Sequence, residues 1–228
     1  MERWMERFAK SGPRRHITPM ISRRLLLLSA LAGTAATPAR AEAGLALTPQ
    51  DRADVTRIEA YLNGIKTLRA RFLQVAPDGG VTEGELWMER PGRMRFQYSP
   101  PAPFLLVAGH GLLNFEDTEL KQSSTIPLNR TPLGILLAER VALTGDVTVT
   151  GIERLPGQLQ VGVVRTASPG EGSLTLVFAD KPLTLRQWTV LDAQRQETRV
   201  TLYDMELGGR FDPRLFEFVA PANPSGGG

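Results

Sequence analysis

Few groups in this chain can carry protons, electrons or ligand bonds. Cysteine is absent, which removes thiolate nucleophiles, thiolate metal ligands, disulfides and a lipid-anchoring cysteine in one count. One histidine, His16, lies in the first 41 residues, and the other, His110, sits in Ala108-Gly109-His110-Gly111, a tight hairpin turn. A histidine triad needs a nucleophile and an orienting acid, and a lone turn histidine reads as an exposed structural residue. The acidic run Glu116-Asp117-Thr118-Glu119 lacks the glycine and spacing of a calcium loop. Glu83, Glu85 and Glu89 share one side of a strand, the pattern of a solvated face. No glycine-rich phosphate loop is present. The expectation is a protein that is not an enzyme and uses neither metal nor cofactor.

One charged residue breaks the pattern around it. Across Thr82 to Arg90 the side chains alternate, so that Gly84, Leu86, Met88 and Arg90 share one face and Glu83, Glu85, Trp87 and Glu89 the other. Arg90 thus points with the apolar set. A guanidinium there either takes acceptors, such as the free carbonyls at a helix end, or bends out along the rim before Pro91-Gly92. Periodicity leaves both readings open.

The elements around these residues fall into an order. Ser22-Arg23-Arg24, an apolar run from Leu25 to Ala32 and Ala39-Arg40-Ala41 read as the n-region, h-region and cleavage site of an export signal over 1–41. The paired arginines resemble a twin-arginine signal. The chain carries a formal charge of +3, but residues 1–41 hold eight of the 27 Lys+Arg and two of the 24 Asp+Glu, which leaves 19 positive and 22 negative charges beyond them. A basic patch for nucleic acid is therefore not expected. Thr48-Pro49-Gln50-Asp51 opens a helix over 49–63 with a capping box, and Val55, Ile58 and Leu62 supply its apolar stripe. From Leu68 onward the period is two. About eleven short strands with Gly- or Pro-bearing turns predict an antiparallel meander. A nearly all-apolar helix over 132–139, with Leu133 and Leu136, interrupts it. One domain is expected over 42–221, followed by a flexible tail over 222–228.

A large twisted sheet with one apolar face curls around a space that side chains, a helix or a ligand must fill. Helices 49–63 and 132–139 fill it either permanently, as an ordinary core, or reversibly, which makes the space a site for acyl chains. Leu86 and Met88 face that space by alternation.

The stretch Gly84-Glu85-Leu86-Trp87-Met88-Glu89-Arg90-Pro91-Gly92-Arg93-Met94-Arg95-Phe96-Gln97-Tyr98 closely resembles the signature of the periplasmic outer-membrane lipoprotein carriers of the LolA type. The likeness continues through Leu105-Leu106-Val107, Thr131-Pro132-Leu133 and Arg214-Leu215-Phe216-Glu217-Phe218. The resemblance implies an unclosed antiparallel β-barrel lidded by short helices. It also implies a periplasmic, monomeric carrier of acylated lipoproteins, loaded by an ATP-driven inner-membrane transporter and unloaded to an outer-membrane acceptor. On the same ground Arg90 holds the lid, and Leu68, Phe72, Met94, Phe96 and Tyr98 line the lumen. The chain departs from the family at Leu113 and Phe115, where members often carry Trp and Tyr. Two other functions remain open from the residues: a carrier of another envelope lipid or glycolipid, and a regulatory module that senses lipoproteins.

Overall fold

A computed structural model describes residues 46–219. The expected export signal and the tail lie outside the described residues. Helix α1 spans Pro49–Gly64, and its capping box is formed: Asp51 N–H donates to the Thr48 hydroxyl, and Thr48 N–H donates to the Asp51 carboxylate at 2.9 Å. The buried residues Val55, Ile58 and Leu62 press its stripe onto the sheet. Tyr61 meets Phe178 edge-to-face, with ring centroids 5.9 Å apart, and its hydroxyl accepts from Leu185 N–H at 3.0 Å. Arg154 clamps the helix start through Asp51 and Asp54, each at 2.7 Å.

Eleven strands follow: β1 Thr67–Val75, β2 Val81–Glu89, β3 Arg93–Tyr98, β4 Phe104–Gly109, β5 Leu112–Asp117, β6 Gln122–Pro127, β7 Val147–Leu155, β8 Gln158–Arg165, β9 Gly172–Asp180, β10 Leu183–Asp192 and β11 Glu197–Leu207. They form one antiparallel sheet in the order β6-β5-β4-β3-β2-β1-β11-β10-β9-β8-β7. This differs from a single meander, in which β6 and β7 would pair. The first strand pairs with the last, and β6 and β7 become the two free edges. The reason lies in residues 128–146, which join those edges. They are too long for a hairpin and carry a 3-10 turn, Leu128–Arg130, and helix α2, Leu133–Leu136.

The sheet is strongly curled. Phe96 on β3 and Trp188 on β10 stand four strand spacings apart, about 19 Å along a flat sheet, yet their ring centroids are 6.2 Å apart. Close approach is possible at β2 because Gly84 has no Cβ; one built there would lie 2.1 Å from the Gln97 carbonyl oxygen and 2.9 Å from the Phe72 ring.

Helix α2 is shorter than the expected 132–139. At Gly134 a Cβ would lie 2.4 Å from the Leu128 carbonyl oxygen, so the 3-10 turn folds tightly back on α2. Beyond Leu137 the chain leaves the helix to run beside α1. There Asn63 bonds both main-chain groups of Val141, at 2.8 and 2.9 Å, and Glu59 accepts from Leu143 N–H at 2.6 Å.

Candidate functional site

The outer face of the sheet is wet and ion-paired. Glu85 meets Arg69 at 2.9 Å and Glu83 meets Arg71 at 4.0 Å across the β1–β2 pair, while Glu89 pairs with Arg93. His110 is exposed with φ 51 beside Gly111 with φ 76, the two left-handed centres of a two-residue hairpin turn. In the acidic run, Asp117 Oδ1 accepts from the main-chain N–H groups of Glu119 and Leu120, which closes a turn.

The inner face holds the candidate site. Burial alternates along β1, β2 and β3 and places Leu68, Phe72, Leu86, Met88, Met94, Phe96 and Tyr98 inside. The register carries the apolar face onward from Phe96 to Leu106 and Phe115 on the next two strands. A cavity of about 420 Å³ opens where β3 to β6, the 128–133 connection, β10 and β11 face one another. That volume falls within the roughly 300–1,000 Å³ typical of ligand pockets.

Of the expected lining residues, Phe96, Tyr98 and Leu133 stand in the cavity wall. Leu68, Phe72, Leu86, Met88, Met94 and Leu136 belong to the contiguous apolar core behind it, with Phe72 edge-to-face on Phe96 at 5.0 Å and on Tyr98 at 5.2 Å. The far wall, Trp188, Val190 and Val200, escaped sequence reasoning, as did Ile126 and the polar Gln74. Strand alternation in β10 and β11 was the available signal, but it does not say which distant strands face each other. The lining also includes the polar residues Arg130, Glu171, Asp192 and Gln196. Burial pushes the Tyr98 phenol above its ordinary pKa, and its bond to Gln74 opposes that only in part. The phenol therefore remains a donor.

One arginine ties the connection that spans the open seam to the sheet. Arg165, at the end of β8, donates from Nη2 to the Thr131 carbonyl at 3.2 Å. Arg90 is buried, 8% exposed, and desolvation lowers its pKa from the ordinary guanidinium value. Alternation read its inward direction correctly. Its Nε and Nη2, however, meet no acceptor among the described residues. At this point the sheet and the connection are joined main chain to main chain, Gly92 N–H donating to the Leu137 carbonyl at 2.9 Å.

Residues 63–219 match the family described as "Outer membrane lipoprotein carrier protein LolA". The chain belongs to the LolA family. It is 27% identical to an outer-membrane lipoprotein carrier protein of Methylococcus capsulatus, over 77% of this chain and 85% of that one. With another of the same name from Azotobacter vinelandii it shares 27% identity over 87% of this chain and 94% of that one. Among solved structures, a LolA superfamily protein of Nitrosomonas europaea aligns with a TM-score of 0.39 and 12% identity, covering 72% of this chain and 97% of that one. Membership in the LolA family accords with the curled, unclosed sheet and its spanning connection.

Proposed function

We propose that this LolA-family chain shields the acyl chains of lipoproteins in its cavity and shuttles them from the inner to the outer membrane. The observation that carries the reading is an apolar cavity bounded on one side by a connection, residues 130–133, instead of by strand pairing. A wall without a hydrogen-bonded ladder moves at low cost, and the connection serves as the lid. Burying acyl chains gains about 0.8 kcal/mol per methylene, so uptake is favourable and release is the harder step.

Arg90 supports release in this account. Where the resemblance gives Arg90 as the group that holds the lid, its buried guanidinium has two nitrogens without acceptors among the described residues, and we assign it the opposite part, disfavouring the closed form. A lid shift that brings carbonyls or water to those nitrogens relieves it. The remaining apolar residues, from Leu68 to Leu136, form the packed floor beneath the cavity. The carrier works in the periplasm as a monomer, exported by the signal over 1–41. It receives cargo from an ATP-driven inner-membrane transporter and passes it to an outer-membrane acceptor.

Displacement of a fluorescent acyl probe tests the reading. A synthetic diacylated or triacylated lipopeptide should displace the probe with one-to-one stoichiometry, and the same peptide without acyl chains should not. Displacement by free phospholipid alone would favour a carrier of another envelope lipid.

A further inference from the structure

A glutamine stands where the dry face of β1 calls for a hydrocarbon. Alternation puts Gln74 in line with Leu68, Ala70 and Phe72, and it is only 7% exposed. Burying an amide without partners is costly, and Gln74 is satisfied at one end only. Its Oε1 accepts from the Tyr98 hydroxyl at 2.9 Å. Its side chain makes no other hydrogen bond among the described residues, and it lines the cavity between the apolar side chains of Tyr98 and Val200. Tyr98, held protonated by burial, fixes the amide oxygen toward itself and leaves the amide NH2 as the end that faces the cavity.

We propose that Gln74 recognises the carbonyl oxygen of an ester- or amide-linked acyl chain, so that the site selects acyl over alkyl ligands. The inference rests on the carrier reading and names the chemistry that the cavity reads. A hydrocarbon tail fills the apolar wall equally well with or without a carbonyl, but a carbonyl oxygen is a stronger acceptor for the amide donors than an ether oxygen. Tyr98 is a positioning residue, acting through Gln74. A few well-placed polar groups in an apolar pocket fix ligand orientation in this way.

The test compares a diacylglycerol with its dialkyl ether analogue of equal chain length, each displacing a fluorescent alkyl probe that has no carbonyl. A neutral hydrogen bond contributes about two- to twelvefold to an equilibrium constant. Removing it should shrink the ester-to-ether affinity ratio by that factor in Gln74→Leu relative to the unaltered protein. Tyr98→Phe should reduce the ratio part-way, and it provides the comparison if Gln74→Leu does not fold. An ester-to-ether ratio that is the same in all folded proteins overturns the inference while the carrier reading stands. Displacement by neither lipid overturns the carrier reading and the inference with it.

Discussion

Replacing Phe96 with glutamate puts a carboxyl group where a ring now stands 2% exposed, 5.0 Å from Phe72 and 6.2 Å from Trp188 by ring centroids. The cationic residue of the lining, Arg130, is exposed. A neutral acid without a hydrogen-bond partner costs about 2 kcal/mol in such a wall and an ionised one more, which weakens acyl binding by about 30-fold or more at neutral pH. Burial favours the protonated form, so affinity should recover in part as the pH falls through the raised pKa of the new carboxyl. Gln97→Glu is the matched control. It changes the next residue, exposed on the opposite face of the same strand, and should leave binding unchanged. Fluorescence titration with an acyl ester probe reads both variants, with circular dichroism to confirm the fold. A folded Phe96→Glu variant that binds like the unaltered protein would refute the assignment of this wall.

Arg90→Leu removes two unpaired buried donors, whose cost is about 1–3 kcal/mol; it should raise the melting temperature and slow probe release by about tenfold, with Arg90→Lys between. Release faster than in the unaltered protein would count against the role given to Arg90. Arg165→Met should do the opposite, because it cuts the 3.2 Å tie to the Thr131 carbonyl and frees the lid; stopped-flow uptake and release should both accelerate. The Asp51 carboxyl is held at about 2, against an ordinary 3.8, first by its bond from Arg154 and then by the Thr48 cap. Its contribution is full above the unfolded value and is lost as the pH falls through the folded one. Thermal melts should therefore show Asp51→Asn less stable than the unaltered protein at pH 7, with the difference gone near the folded value.

Local chemistry made much of this architecture legible. The Thr48–Asp51 capping box and the Val55, Ile58, Leu62 stripe announce α1 within a residue, because both signals are intrahelical. Period-two alternation placed Leu68, Phe72, Leu86, Met88, Met94, Phe96 and Tyr98 on the buried face, since a strand has only two faces. Long-range pairing was not legible. That β1 pairs with β11 depends on curling of the whole sheet, and no local pattern encodes it. The same limit hid Trp188, Val190 and Val200, which come near Phe96 only after the sheet closes. Alternation gave the direction of Arg90 but not its lack of acceptors, because those would come from parts of the chain distant in sequence. Gln74 passed unnoticed as one polar residue near a strand's end, and its partner Tyr98 lies two strands away.

Analysis of what the protein holds when isolated from the soluble fraction of its own cells bears most directly on the carrier function. Native mass spectrometry of that fraction should find a one-to-one complex with acylated lipoprotein, and Phe96→Glu should lose it. A preparation that carries only free lipid, or in which Phe96→Glu retains the same lipoprotein load, would contradict the account.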